Sequence, residues 1–187
     1  MDTCKQKLQE KIISFLNTQI EAHVFPGASV SLVWNGGEES ATFLAGTLTY
    51  DSQELVTSST LYDTASVTKS VVTSTLALLL IEQGIIALQD IVQSWLGTVN
   101  GSRSTKPLTI HHLLTHTVAF NVQLSQLKQA AASEILDTVR CADMSSNPGE
   151  TYAYVNATSV LLGLELERVT GKNLAELAQQ YLFDPLG

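Results

Sequence analysis

Ser66-Val67-Thr68-Lys69 sets a hydroxyl and a primary amine three residues apart. On a helix such residues share a face, so the amine can reach the hydroxyl oxygen. A serine hydroxyl is a poor nucleophile until a neighbouring group takes its proton, and Lys69 is such a group. The apolar run that follows implies a helix beginning near Ser66, where free backbone N–H groups favour developing negative charge. A helix buried on most faces would desolvate Lys69 and favour the neutral amine that can act as a base. The same four residues equally describe a helix-capping serine followed by a lysine that lays its stem along the surface. Ser125-Gln126-Leu127-Lys128 repeats the spacing in a polar stretch and reads as coincidence, so spacing alone does not choose.

A second constellation does choose. Pro148-Gly149 leads into Tyr152-Ala153-Tyr154-Val155-Asn156, and a leucine-rich helix begins at or just after Asn156. A phenol oxygen beside a cationic lysine is acidified, so Tyr154 could carry a proton between Ser66 and a leaving group. The Asn156 amide could donate to a substrate carbonyl and accept from Lys69, or cap the helix, or do both.

The order Phe25-Pro26-Gly27-Ala28, Ser66-Val67-Thr68-Lys69, Leu113-Leu114-Thr115-His116-Thr117, Pro148-Gly149, Tyr154-Val155-Asn156, Leu161-Leu162-Gly163 and Thr170-Gly171-Lys172 resembles the beta-lactamase-related serine hydrolases. That family takes in class C beta-lactamases, D-alanyl-D-alanine carboxypeptidases, D-aminopeptidases and esterases of the same fold. The resemblance runs from about Phe25 to Gly187. It implies that Ser66 is the acylated nucleophile, that Lys69 and Tyr154 move its proton, and that Asn156 helps hold substrate and lysine. It implies no zinc or other cofactor. The substrate it implies is a small molecule: a beta-lactam, a D-amino-acid peptide or a small ester.

Two departures accompany the resemblance. Family members usually follow Thr-His-Thr with Ser-Gly, whereas Thr117 is followed by Val118-Ala119. The family's third motif, a Lys/His-Thr/Ser-Gly strand that lines the site and gives one oxyanion-hole N–H, would come well after Gly187. Losing one such donor costs on the order of 2.7–4 kcal/mol of transition-state stabilisation, so residues 1–187 alone are expected to show little or no activity. The alternative is a truncated or degenerate binding module of the same fold, without turnover.

The elements that must position these residues can be read from periodicity. Leu8, Ile12, Phe15, Leu16 and Ile20 recur at helical spacing, and Pro26-Gly27 is expected to end that helix. Ala28, Val30, Leu32 and Trp34 alternate with small polar residues as a half-buried strand does. Asn35-Gly36-Gly37 predicts a hairpin turn, because its central residues must tolerate positive φ, and a second strand follows to Gly46. From Ala65 onward the pattern is helical: Ser66 to Gln83 closed by Gly84, a short helix from Ile91 to Leu96, one from Thr109 to Leu114, one or two within Gln123–Arg140, one from Asn156 to Thr170 closed by Gly171, and a last one capped by Asn173 and running to Leu182. A two-stranded hairpin is marginal by itself and exposes two edges. The expected architecture is α/β (α+β), beta-lactamase/transpeptidase-like: a helical domain plus an incomplete antiparallel sheet. Residues 1–187 then form the N-terminal part of one catalytic domain, with the remaining strands beyond.

Composition narrows the rest. With 44% hydrophobic and 15% charged residues the chain is globular in balance, and a formal charge of −8 leaves no basic stripe for nucleic acid. The first ten residues lack the apolar core of a signal peptide, and Leu76–Ile81 is too short to cross a bilayer, which reads as a cytoplasmic chain without a membrane partner. Cys4 and Cys141 read as free thiols. His112 and His116 stand four apart, as paired metal ligands can, but no Glu or third ligand accompanies them and His111 in a zinc-protease pattern. Their plainer role is structural.

Overall fold

The computed structural model describes residues 2–92, 106–122 and 130–187. The chain divides into two compact units, Met1–Asp63 and Thr64–Gly187.

In the first unit helix α1 (Asp2–Glu21) packs on an antiparallel hairpin of β1 (Gly27–Trp34) and β2 (Glu39–Gly46). The strands pair from Gly27 with Gly46 to Trp34 with Glu39. The alternation in β1 is as expected: Ala28, Val30, Leu32 and Trp34 are partly covered, while Ser29, Ser31 and Val33 face solvent. Across the strands Ser31 Oγ and Thr42 Oγ1 share a hydrogen bond of 2.9 Å. At the turn Asn35, Gly36 and Gly37 all take positive φ, in a 3-10 turn over Asn35–Gly37. At the open end Gly27 and Gly46 are required by close approach. A Cβ on Gly46 would stand 2.2 Å from the Pro26 carbonyl oxygen, and one on Gly27 would stand 2.4 Å from that of Thr47. Leu16 and Phe43 are buried in this unit, with Val56 from the loop after β2.

The end of α1 differs from expectation. The helix stops at Glu21, before Pro26-Gly27, because His23 adopts φ 56° and its N–H returns to the Ile20 carbonyl while that of Val24 returns to Gln19. That is the paired hydrogen-bond pattern of a left-handed helix end, with histidine where glycine is usual.

The second unit is helical: α2 (Thr75–Glu82), α3 (Ile110–Leu114), α4 (Ala132–Arg140), α5 (Asn156–Thr170), α6 (Leu174–Ala178) and α7 (Asp184–Leu186). Its core gathers Leu76 and Leu80 from α2, Ile110 and Leu113 from α3, and Leu161, Leu162 and Leu166 from α5, all essentially inaccessible. Each such leucine contributes about 1.5–3 kcal/mol by leaving water. Gly84 and Gly171 close α2 and α5 at φ 70° and 69°, as expected of left-handed ends. Glu165, 3% exposed amid this apolar helix, is paired with the Arg168 guanidinium one turn on. Burial of an acid there had no signal in the periodicity.

Four expectations need correction. The segment from Ser66 to Gln83 is neither one regular α-helix nor buried all round. Lys69–Ser74 form a wide π-helical turn ahead of α2, and the Thr75 hydroxyl donates to the Ser70 carbonyl at 2.9 Å within it. Thr73, Leu76, Ala77 and Leu80 are buried, whereas Val67, Val71 and Leu78 are more than half exposed. The last helix likewise widens into a π turn over Gln179–Phe183. Ile91 makes a bridge with Thr109 instead of starting a helix, and residues 93–96 of that expected helix lie outside the described residues. Finally, Asn156 is the first helical residue of α5 and does not cap it, since Val155 takes the extended capping position. Of the helices expected in Gln123–Arg140, α4 is present, and residues 123–129, with Ser125 and Lys128, lie outside the described residues.

Candidate active site

Ser66 lies on a tight turn that precedes the π segment. Ala65 before it adopts φ 44°, a left-handed conformation that costs a residue with a Cβ about 1–3 kcal/mol. The N–H groups of Val67, Thr68 and Lys69 then reach back three residues, to Thr64, Ala65 and Ser66. This tight first turn brings the lysine stem over the serine: Lys69 Nζ donates to Ser66 Oγ at 2.8 Å. The Ser66 hydroxyl does not cap the helix.

Tyr154 reaches the same place from the extended segment before α5. The segment is pinned to the turn after α3 by main-chain bonds from Gly149 N to Thr117 O at 2.7 Å and from Ala153 N to His116 O at 2.9 Å. Gly149 needs φ 87° to turn the chain there. The Tyr154 ring sits beneath the lysine, with Nζ 5.6 Å from its centroid, within cation–π range. Its phenol is held below the ordinary tyrosine range, chiefly by a hydrogen bond with Ser66. Desolvation opposes this and the Lys69 charge and hydrogen bond add to it. Hydroxyl, ammonium and phenol thus form one group.

Asn156 shares a wall with Ser66 and Lys69 in a cavity of about 690 Å³, whose floor is apolar through Ile135, Val160, Leu164 and Leu174. Among the described residues its amide makes no hydrogen bond to Lys69, so the structure joins Ser66, Lys69 and Tyr154 by contact and brings Asn156 only to the lining of the same cavity. The cavity is large enough for a small ligand.

His112 and His116 are each held by a threonine hydroxyl. His112 Nδ1 accepts from the Thr109 N–H at 3.2 Å and pairs with the Thr109 hydroxyl at 2.9 Å, closing the start of α3. Burial first, then the charges of His111 and Lys106, push its pKa down. His116 Nδ1 lies 2.7 Å from the Thr158 hydroxyl, and burial followed by the Lys69 charge lowers its pKa as well. Among the described residues no group of three or more His, Cys, Asp or Glu side chains could hold a metal, and no helix is long and apolar enough to cross a membrane. Cys141 is free and exposed. Sequence reasoning does not single out Ala65 or Thr158. Nothing local marks either, because their roles come from the backbone angle before Ser66 and from a contact between separate helices.

This arrangement can be set beside known proteins. The family model described as Beta-lactamase matches residues 12–187. Esterase EstB of Burkholderia gladioli is 33% identical over 147 residues, covering 68% of this chain and 37% of that protein. Among solved structures, EstCE1, a hydrolase with promiscuous acyltransferase activity, superposes with a TM-score of 0.82 at 25% identity, over 99% of this chain and 53% of that one. A class C beta lactamase from Rhodobacter sphaeroides gives 0.67 at 28% identity, over 90% of this chain and 46% of its own. The chain therefore spans about half the length, or less, of the proteins it matches. Its fold is the beta-lactamase/transpeptidase-like one expected from the motifs. With a family model matched from residue 12 to residue 187, the chain belongs to the Beta-lactamase family.

Proposed function

We propose that this chain carries the nucleophile and proton-transfer groups of a serine hydrolase that works through an acyl-enzyme. The observation that carries the reading is the 2.8 Å hydrogen bond from Lys69 Nζ to Ser66 Oγ, with the acidified Tyr154 phenol on the same hydroxyl. In this reading Lys69, bonded to Ser66 and beside the phenol, favours the tyrosinate, which accepts the Ser66 proton as Oγ attacks the substrate carbonyl carbon. The tetrahedral intermediate collapses, Tyr154 returns the proton to the leaving oxygen or nitrogen, and the acyl group remains on Ser66. Water then attacks the acyl carbon while Tyr154 takes its proton, and Ser66 leaves with that proton restored. Asn156 on the cavity lining would donate to the substrate amide or ester oxygen.

For substrate class, the apolar floor beside Ser66 favours a small ester or amide with an apolar acyl portion. Among the described residues Lys69 is the cation that lines this cavity, and in this mechanism it is committed to Ser66 and Tyr154. That weighs against recognition of a substrate carboxylate at this wall. EstB and EstCE1 carry names of the same kind, esterase and hydrolase.

The test is intact mass after exposure to a fluorophosphonate, on the protein of the complete reading frame and on its Ser66→Ala variant. A single adduct that disappears with Ser66→Ala is expected. Its absence from the unsubstituted protein would leave a binding module of the same fold, without turnover.

A further inference from the structure

We propose that His116 is a positioning residue for Tyr154, holding the main chain on both sides of it and its ring in between. This rests on the acyl-transfer reading above, in which Tyr154 handles the Ser66 proton. The first grip is the His116 carbonyl, which accepts from the Ala153 N–H at 2.9 Å, just before Tyr154. The second runs through Thr158. Its hydroxyl donates to the Val155 carbonyl at 2.8 Å, just after Tyr154, and lies 2.7 Å from His116 Nδ1.

The proton count fixes the direction of that last bond. Thr158 has one hydroxyl hydrogen and spends it on Val155, so His116 Nδ1–H must donate to the Thr158 oxygen. Thr158 is wholly inaccessible, and no solvent is at hand to replace either partner. The third grip is the ring itself, whose centroid lies 4.9 Å from that of Tyr154, with Tyr152 on another side at 6.5 Å. Burial and the Lys69 charge both keep this ring neutral, so it stands beside Tyr154 without adding a second cation.

The backbone is committed to the same end. His116 holds φ 53°, a conformation that non-glycine residues adopt at a cost and that histidine and asparagine adopt more readily than most. Glycine would accept that angle more easily but would offer neither Nδ1–H nor a ring. A residue whose carbonyl, imidazole donor and ring face converge on one tyrosine is placed for that tyrosine.

The experiment measures the second-order rate of Ser66 acylation by a fluorophosphonate, read by intact mass, on the protein of the complete reading frame. His116→Ala, His116→Asn, Thr158→Val and Thr158→Ser are each compared in the parent and in a Tyr154→Phe background, with thermal midpoints recorded throughout. Asparagine keeps both the tolerance of positive φ and an N–H near the Nδ1 position. In the parent, His116→Ala and Thr158→Val are expected to slow acylation by about 10- to 100-fold, the scale of a small misplacement of a catalytic group. His116→Asn and Thr158→Ser are expected to restore most of that loss. In the Tyr154→Phe background, His116→Ala and Thr158→Val should slow it no further, since their effect passes through the missing phenol. Equal slowing in both backgrounds would overturn the proposal, as would His116→Asn slowing as much as His116→Ala. Should His116→Ala fail to fold, Thr158→Val and His116→Asn decide by the same comparison. A Tyr154→Phe variant that acylates at the parent rate would instead overturn the acyl-transfer reading beneath it.

Discussion

Two helix beginnings in the second unit look alike in sequence and differ in use. At α6, Asn173 Oδ1 accepts from the Glu176 N–H and the Glu176 carboxylate accepts from the Asn173 N–H, both at 2.9 Å. Each side chain satisfies a backbone donor that the helix would otherwise leave bare. At Ser66 a residue of equal capping power lies on the turn just before the helical residues, and its oxygen takes a lysine instead. The residue before it, Ala65, carries left-handed strain, whereas Lys172 before Asn173 is not in a positive-φ conformation. One beginning serves the helix. The other withholds its hydroxyl from the helix and costs stability at Ala65. A capping residue that does not cap, next to a strained neighbour, is therefore a better pointer to chemistry than the Ser-x-x-Lys spacing itself.

The contrast can be broken from either side. The largest effect is expected at Lys69: Lys69→Met should lower the rate of Ser66 acylation by about 10²–10³-fold, the usual range for removing one electrostatic donor, while the thermal midpoint moves little. Unchanged acylation kinetics would show that the lysine only covers surface. Next comes Tyr154→Phe, read against pH. The phenol's pKa is lowered, so its deprotonated form is populated at lower pH than in an ordinary tyrosine of about 10. The parent rate should accordingly rise with pH and level off below that value, and Tyr154→Phe should lose this limb along with most of the rate. A limb that survives the substitution belongs to another group.

The smaller effects concern stability. Asn173→Ala should cost about 1 kcal/mol in a denaturant melt, with acylation untouched. Ala65→Gly should relieve left-handed strain and leave stability unchanged or raised by up to about 1 kcal/mol, by the reverse of the usual glycine penalty. A clear loss there would mean that Ala65 is not strained.

Local signals account for what could be read in advance. The hairpin was legible because alternation and the Asn35-Gly36-Gly37 turn are written within a dozen residues, and the ends of α2 and α5 because glycine marks a left-handed cap. The end of α1 was misread because His23 takes the role that glycine usually signals, and Pro26-Gly27 drew the boundary too late. The π turn at Lys69–Ser74 has no pattern of its own; it depends on a side chain, Thr75, choosing a carbonyl five residues back. Within the site, the Ser66–Lys69 pair followed from helical geometry, whereas Tyr154 came from motif order and is joined to Ser66 only by tertiary packing. Asn156 stands at the helix start but one position past the cap, and it lines the cavity. His116 was legible as a structural residue of its motif, but its partner Thr158 escaped because their bond joins the end of α3 to the start of α5.

Ser66→Ala tests the central contrast most directly when adduct formation and thermal stability are read on the same sample. A nucleophile that does not cap its helix predicts complete loss of the fluorophosphonate adduct with a stability change within about 0.5 kcal/mol, the range of an ordinary surface substitution. A retained adduct accompanied by a loss of about 1 kcal/mol, the signature of a removed helix cap, would contradict it.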